Sequence, residues 1–105
     1  MPKILKQTAG YLSGIKDMTD KYSTNLEKPG LIIVGESEHK YPGKRFVYIY
    51  YSNDFTIGYF HTSCGNVEEK DNKFIFTSEH SRYEFTIDEN CIDEVTKKEI
   101  LLTVM

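Results

Sequence analysis

The residues best suited to chemistry are His61 and Cys64, an imidazole and a thiol three positions apart, with His80 and Cys91 further along the chain. All four are of a type that ligates zinc, but structural zinc sites use two tight pairs, and here only His61-Thr62-Ser63-Cys64 is tight. The spacing therefore predicts no metal. Cys64 precedes Gly65, whose backbone N–H could serve an oxyanion, so a small thiol enzyme or hydrolase would use Cys64 as nucleophile with His61 or His80 as base. Against it, the chain has no G-x-S-x-G elbow, and no helix is expected to start at Cys64 and stabilise a thiolate. The carboxylate pairs Glu36/Glu38 and Glu68/Glu69 sit beside turns rather than in apolar surroundings that would raise a pKa. The scattered glycines form neither a dinucleotide fingerprint nor a P-loop. The sequence predicts no catalytic residue and no cofactor, which leaves binding as the expected activity.

Charge indicates the class of partner. The formal net charge of −3 is the sum of two unlike halves: residues 1–50 carry eight Lys and Arg against five Asp and Glu, and residues 51–105 carry five against eleven. Nucleic-acid binding draws most of its affinity from a basic face, so this distribution favours a protein partner with a basic surface. Glu68, Glu69 and Asp71 cluster in an expected hairpin loop, and Asp88, Glu89, Asp93 and Glu94 cluster after a later strand. These seven acids are the candidate partner-binding residues, with an exposed sheet edge as the other candidate surface.

Two segments carry a resemblance, one to a known family and one to small uncharacterised proteins of no named family. Lys44-Arg45-Phe46-Val47-Tyr48-Ile49-Tyr50 runs from basic residues into alternating rings and resembles the stacking strand of the RNA-recognition motif, departing from that family at its glycines. The resemblance implies a single-stranded nucleic-acid-binding domain, an alternative to the protein-binding reading. Phe76 to Phe85, with Thr77, Ser81 and Tyr83 about a tight turn, resembles a strand-turn-strand of small accessory proteins of phages and mobile elements. It implies a protein that works by binding, of which a phage-type inhibitor of a host nucleic-acid-processing enzyme is one form.

The elements that must position these residues are mostly strands. At 105 residues, with 39% hydrophobic and 28% charged side chains, the chain is expected to form a single domain over 1–105. From Leu31 onward, short β-branched and aromatic runs alternate with turn clusters about every ten residues, the spacing of an antiparallel meander. Strands are predicted at Leu31–Val34, Arg45–Tyr51, Thr56–His61, Lys73–Thr77 and Arg82–Ile87. In the last, Tyr83, Phe85 and Ile87 share the buried face. Apolar residues on both faces of Phe46–Tyr51 and Phe74–Phe76 imply central strands with a helical cover. Ile4, Leu5, Leu12, Ile15, Met18 and Tyr22 fall at helical spacing and predict an N-terminal helix in that role, although Gly10 and Gly14 each cost about 1 kcal/mol in a helix. Ile92–Lys98 reads as a helical turn, with Ile100–Val104 a final strand or a helix. The predicted fold is α+β or mostly β, an antiparallel meander of about five to six strands curled toward a barrel. With no apolar run long enough for a signal peptide or a span, Cys64 and Cys91 are expected as free thiols in the cytoplasm.

Overall fold

The computed structural model describes residues 3–16, 27–38, 41–53, 56–79 and 81–104. In chain order these form β1 (Lys3–Lys16), β2 (Pro29–Glu36), β3 (Arg45–Asn53), β4 (Thr56–His61), β5 (Asn66–Lys70), β6 (Lys73–Thr77), β7 (Arg82–Ile87) and α1 (Glu94–Val104). All pairings are antiparallel, in one seven-stranded sheet of order β4-β3-β2-β1-β7-β6-β5.

The expected N-terminal helix is absent: its described part is β1, the central strand. β1 pairs with β2 from Lys3↔Glu36 to Tyr11↔Pro29 and with β7 from Gly10↔Ile87 to Lys16↔Arg82, so it passes from one half of the sheet to the other. Register shifts at Ile4/Lys6 and Leu12/Gly14 mark irregularities of the kind that bend a strand and increase its twist. At the crossover, a Cβ on Gly10 would lie 2.3 Å from the Thr86 carbonyl oxygen and 2.5 Å from Ile32 Cδ1. Only glycine lets the neighbouring backbone approach so closely. The glycines that weaken the helical reading are thus the mark of a bent strand. Met18 and Tyr22, also assigned to that helix, lie outside the described residues.

Bending wraps the sheet around one core. Leu12, Ile32, Val34, Val47, Ile49, Tyr51, Phe60, Phe74, Phe76, Tyr83 and Phe85 form a single buried cluster drawn from six strands. Phe60 of β4 meets Tyr83 of β7 edge to face at 5.3 Å, a contact across the concave face. The sheet is nevertheless not closed into a barrel. β4 and β5 do not pair with each other, and the link between the two ends is a bridge from Gly65 to Arg45 of β3.

On the convex face, Leu31 and Ile33 pack with Ile100 of α1, which is fully buried, and with the partly buried Tyr48, Tyr50, Ile92 and Leu101. The helical cover therefore comes from the C-terminus. Residues 100–104 belong to α1 and not to a final strand: Ile100 is buried while Leu102 is 86% exposed, as when a helix buries one side only. The helix is capped by Asp93, whose Oδ1 accepts the Thr96 N–H at 2.7 Å. β3 and β6 are each next to an edge strand and not at the centre of the sheet. The two strands beyond the expected set are β1 and β5. No helix among the described residues is long and apolar enough to cross a membrane.

Candidate functional site

β3 and β4 form a hairpin whose register places Tyr48 opposite His61 and Tyr50 opposite Tyr59. Alternation sends Val47, Ile49, Tyr51 and Phe60 into the core, and leaves Phe46, Tyr48, Tyr50, Tyr59 and His61 on the convex face. These five rings touch in one patch. Tyr48 stacks on His61 with centroids 4.9 Å and planes 16° apart, and on Tyr50 at 5.6 Å and 18°. Tyr59 lies 6.0 Å from Tyr48 and 5.8 Å from His61, and Phe46 abuts Tyr48 edge-on at 5.6 Å. Phe46 finds its place over Gly35 of β2, where a Cβ would be 2.3 Å from its Cζ. The patch is partly open to solvent: Tyr59 is 59% exposed, and His61 is exposed.

Near-parallel rings at these centroid separations are offset from one another and meet mainly at their rims. Phe46, Tyr48 and Tyr50 are thereby left only partly exposed, and Tyr59 and His61 carry the open part of the patch. Burial, then the proximity of Tyr48 and Tyr59, pushes the Tyr50 phenol above its ordinary pKa, so its hydroxyl stays protonated. A nucleic-acid platform needs the reverse arrangement, rings with free faces for bases. Lys44 and Arg45 precede the rings on β3, as the sequence suggests, but Phe46, Tyr48 and Tyr50 beyond them lie against one another and are only partly exposed.

No family model, curated protein or solved structure matches the chain. The site has to be read from its own geometry.

The seven acids fall into two groups. Glu68 and Glu69 lie in β5, not in a loop, and Asp71 with Asn72 makes the two-residue turn into β6, both at positive φ (50° and 64°). Glu69 pairs with Lys6. In the second group Asp88 Oδ1 accepts the Asn90 N–H at 3.0 Å and Asp93 caps α1. Glu89 accepts the Thr8 hydroxyl and lies 3.8 Å from Lys97, which is also 3.5 Å from Glu94. Most of the second group thus hold the β7–α1 connection together.

Cys64 lines an open cleft of about 490 Å3 with Tyr41, Lys44, Ser63, Asn66 and Glu79. His61 stands in the ring patch with Nδ1 3.1 Å from the Thr62 carbonyl. Cys91 lies apart, its Sγ donating to the Gly10 carbonyl at 3.5 Å, and burial pushes its thiol up. Both cysteines are free thiols. His80 lies outside the described residues. Among the described residues no three His, Cys, Asp or Glu side chains form a group that could hold a metal.

Sequence reasoning found the rings of β3 and missed their partners on β4. The turn cluster Ser52-Asn53-Asp54 marks the hairpin but not its register: only with Asn53 paired to Thr56 do Tyr59 and His61 fall opposite Tyr50 and Tyr48.

Proposed function

We propose that the protein is a non-catalytic binding domain that engages a protein partner through the ring patch on β3 and β4. The supporting observation is the mutual contact of Tyr48, Tyr50, Tyr59 and His61 at 4.9–6.0 Å on a sheet face that α1 covers only in part. Such a face has low side-chain entropy to lose and offers large amphipathic area, the character of residues that dominate protein interfaces. The acidic second half supplies a long-range field, which favours a partner with a basic surface and acts on encounter more than on the bound state. A phage-type inhibitor that occupies a basic channel of a nucleic-acid-processing enzyme is the specific form consistent with both properties.

Affinity capture from lysate with tagged protein, read by mass spectrometry, tests this. His61→Ala removes an exposed ring and leaves the core untouched. A protein captured by wild type and by Cys64→Ser, but bound at least about thirtyfold more weakly by His61→Ala, a hot-spot-sized effect, supports the reading. Capture that survives His61→Ala and fails with Cys64→Ser would move the function to the thiol, and tight binding of a single-stranded oligonucleotide would move it to nucleic acid.

A further inference from the structure

The two edges of the sheet are built differently. β5, Asn66-Val67-Glu68-Glu69-Lys70, carries three charges in five residues, the usual protection of an edge against strand pairing. β4, Thr56-Ile57-Gly58-Tyr59-Phe60-His61, carries neither Asp, Glu, Lys, Arg nor proline. Among the described residues no strand pairs with its outer side.

The direction of its free backbone groups can be derived. Thr62 N–H donates to the Val47 carbonyl at 3.0 Å, so Thr62 faces β3. Since successive residues of a strand point their N–H and C=O to opposite sides, Phe60 and Gly58 also face β3, while Ile57, Tyr59 and His61 present theirs to the open edge. Two copies of β4 meeting antiparallel about a twofold axis normal to the sheet must pair residues of equal parity, so that both convex faces stay on one side. Centred on Tyr59, that register sets Tyr59 against its own copy and Ile57 against His61, with about six backbone hydrogen bonds from the outward-facing groups alone. The edge is complementary to itself in both register and charge. The same operation on β5, centred on Glu68, would set Glu68 against its own copy, a like-charge pair.

We infer that the protein forms a homodimer through antiparallel β4–β4 pairing centred on Tyr59. The dimer joins the two sheets and brings the ring patches of both copies onto one continuous face. The inference extends the binding function proposed above, and its test needs no partner.

Sedimentation equilibrium from about 1 µM to about 1 mM, a range wide enough for a weak interface, should show mass rising to twice that of the chain. Tyr59→Lys places a charge on an exposed edge position and should hold the mass at one chain with the melting temperature retained. Glu68→Lys, on the other edge, should leave the association unchanged. In a Cys64→Ser background, Tyr59→Cys should cross-link to a covalent dimer under mild oxidation, because residues exchanging both backbone bonds across an axis lie within disulfide reach. A monomer throughout the range, a dimer that survives Tyr59→Lys, or one lost with Glu68→Lys would overturn the inference.

Discussion

Gly10 of β1 and Thr86 of β7 meet backbone to backbone, with the space for a Cβ on Gly10 taken by the Thr86 carbonyl oxygen at 2.3 Å. This contact lets β1 hand over from one half of the sheet to the other. Gly10→Ala should therefore destabilise by at least about 2 kcal/mol, since the obstruction is backbone on one side and the buried Ile32 on the other. Gly58, whose added Cβ meets nothing within 4 Å, is the matched control. Gly58→Ala should not lower stability. Urea denaturation of the two variants checks this, and equal midpoints would show that β1 does not depend on the close approach.

The same contact explains what the sequence conceals. The strands from β2 to β7, apart from β5, show in alternation and turn residues, and Tyr83 and Phe85 face the core as their spacing indicates. β1 does not show, because in a bent strand whose partner changes midway the period-two pattern is interrupted by shifts of register. Ile4, Leu5, Leu12 and Ile15 then imitate helical spacing. α1 is ambiguous for a different reason: Ile100-Leu101-Leu102-Thr103-Val104 is apolar at four of five positions with no clear period, and only docking reveals that Ile100 is the residue that counts. The ring patch was half legible, because the rings of β3 are local in sequence whereas Tyr59 and His61 join them through register.

Phe85 is fully buried and Glu84, beside it on β7, is partly exposed. Phe85→Ala should cost about 3–5 kcal/mol. That is a large share of the stability expected of a domain this size. Glu84→Ala should lower the melting temperature far less, although it releases Arg82, whose guanidinium lies 3.3 Å from its carboxylate in a partly exposed pair. Similar losses in the two variants would mean that the β7 register is inverted.

Among the described residues the buried Tyr51 hydroxyl has no hydrogen-bond partner, and burial pushes its pKa up to about 12. Lys28 sits over the ring, its Nζ 5.6 Å from the centroid. The unfolded chain loses this proton near the ordinary value of 10.0 while the folded protein keeps it, so stability should fall as pH rises from that value toward 12. Tyr51→Phe removes the unpartnered hydroxyl, which costs about 1–3 kcal/mol when left unsatisfied. The variant should be at least as stable as wild type near neutral pH, and its advantage should widen as pH is raised to about 11. Denaturation curves at the two pH values decide it: a variant less stable near neutrality would mean that the hydroxyl has a partner in solution.

The Thr96 backbone N–H, followed by its side chain, holds the Asp93 carboxyl below its ordinary value of 3.8. A depressed carboxyl contributes stability that is present above the unfolded pKa and is lost as pH falls through the folded one. Amide exchange within α1 should therefore accelerate in acid relative to β7. Asp93→Asn keeps a capping oxygen without a titrating charge, so it should retain α1 near neutral pH and lose part of that acid dependence. Asp93→Ala should open α1 at every pH. Equal protection of α1 in Asp93→Ala and wild type would show that Ile100 alone holds the helix.

The ring patch and the acidic second half predict separable effects on the kinetics of partner binding. Charge acts before contact, across a Debye length of about 8 Å at physiological ionic strength, so reversing Glu68, Glu69 and Asp71 to Lys should slow association and leave dissociation little changed. The fold should tolerate the changes at Glu68 and Glu69, because the Lys6–Glu69 pair is about half exposed (44% and 50%) and contributes less than about 1 kcal/mol, while Lys at Asp71, whose φ is 50°, adds a local turn cost that a melting curve of the triple variant reads separately. Ring contacts act after encounter, so His61→Ala should speed dissociation with little effect on association. Lys98→Glu adds negative charge on exposed α1 and should leave association unchanged or faster. Surface plasmon resonance at two salt concentrations, against the partner that capture identifies, separates these terms. An acidic triple variant that associates like wild type, with wild-type association flat in salt, would remove charge from the account, leaving the rings and the backbone of β4 to carry recognition.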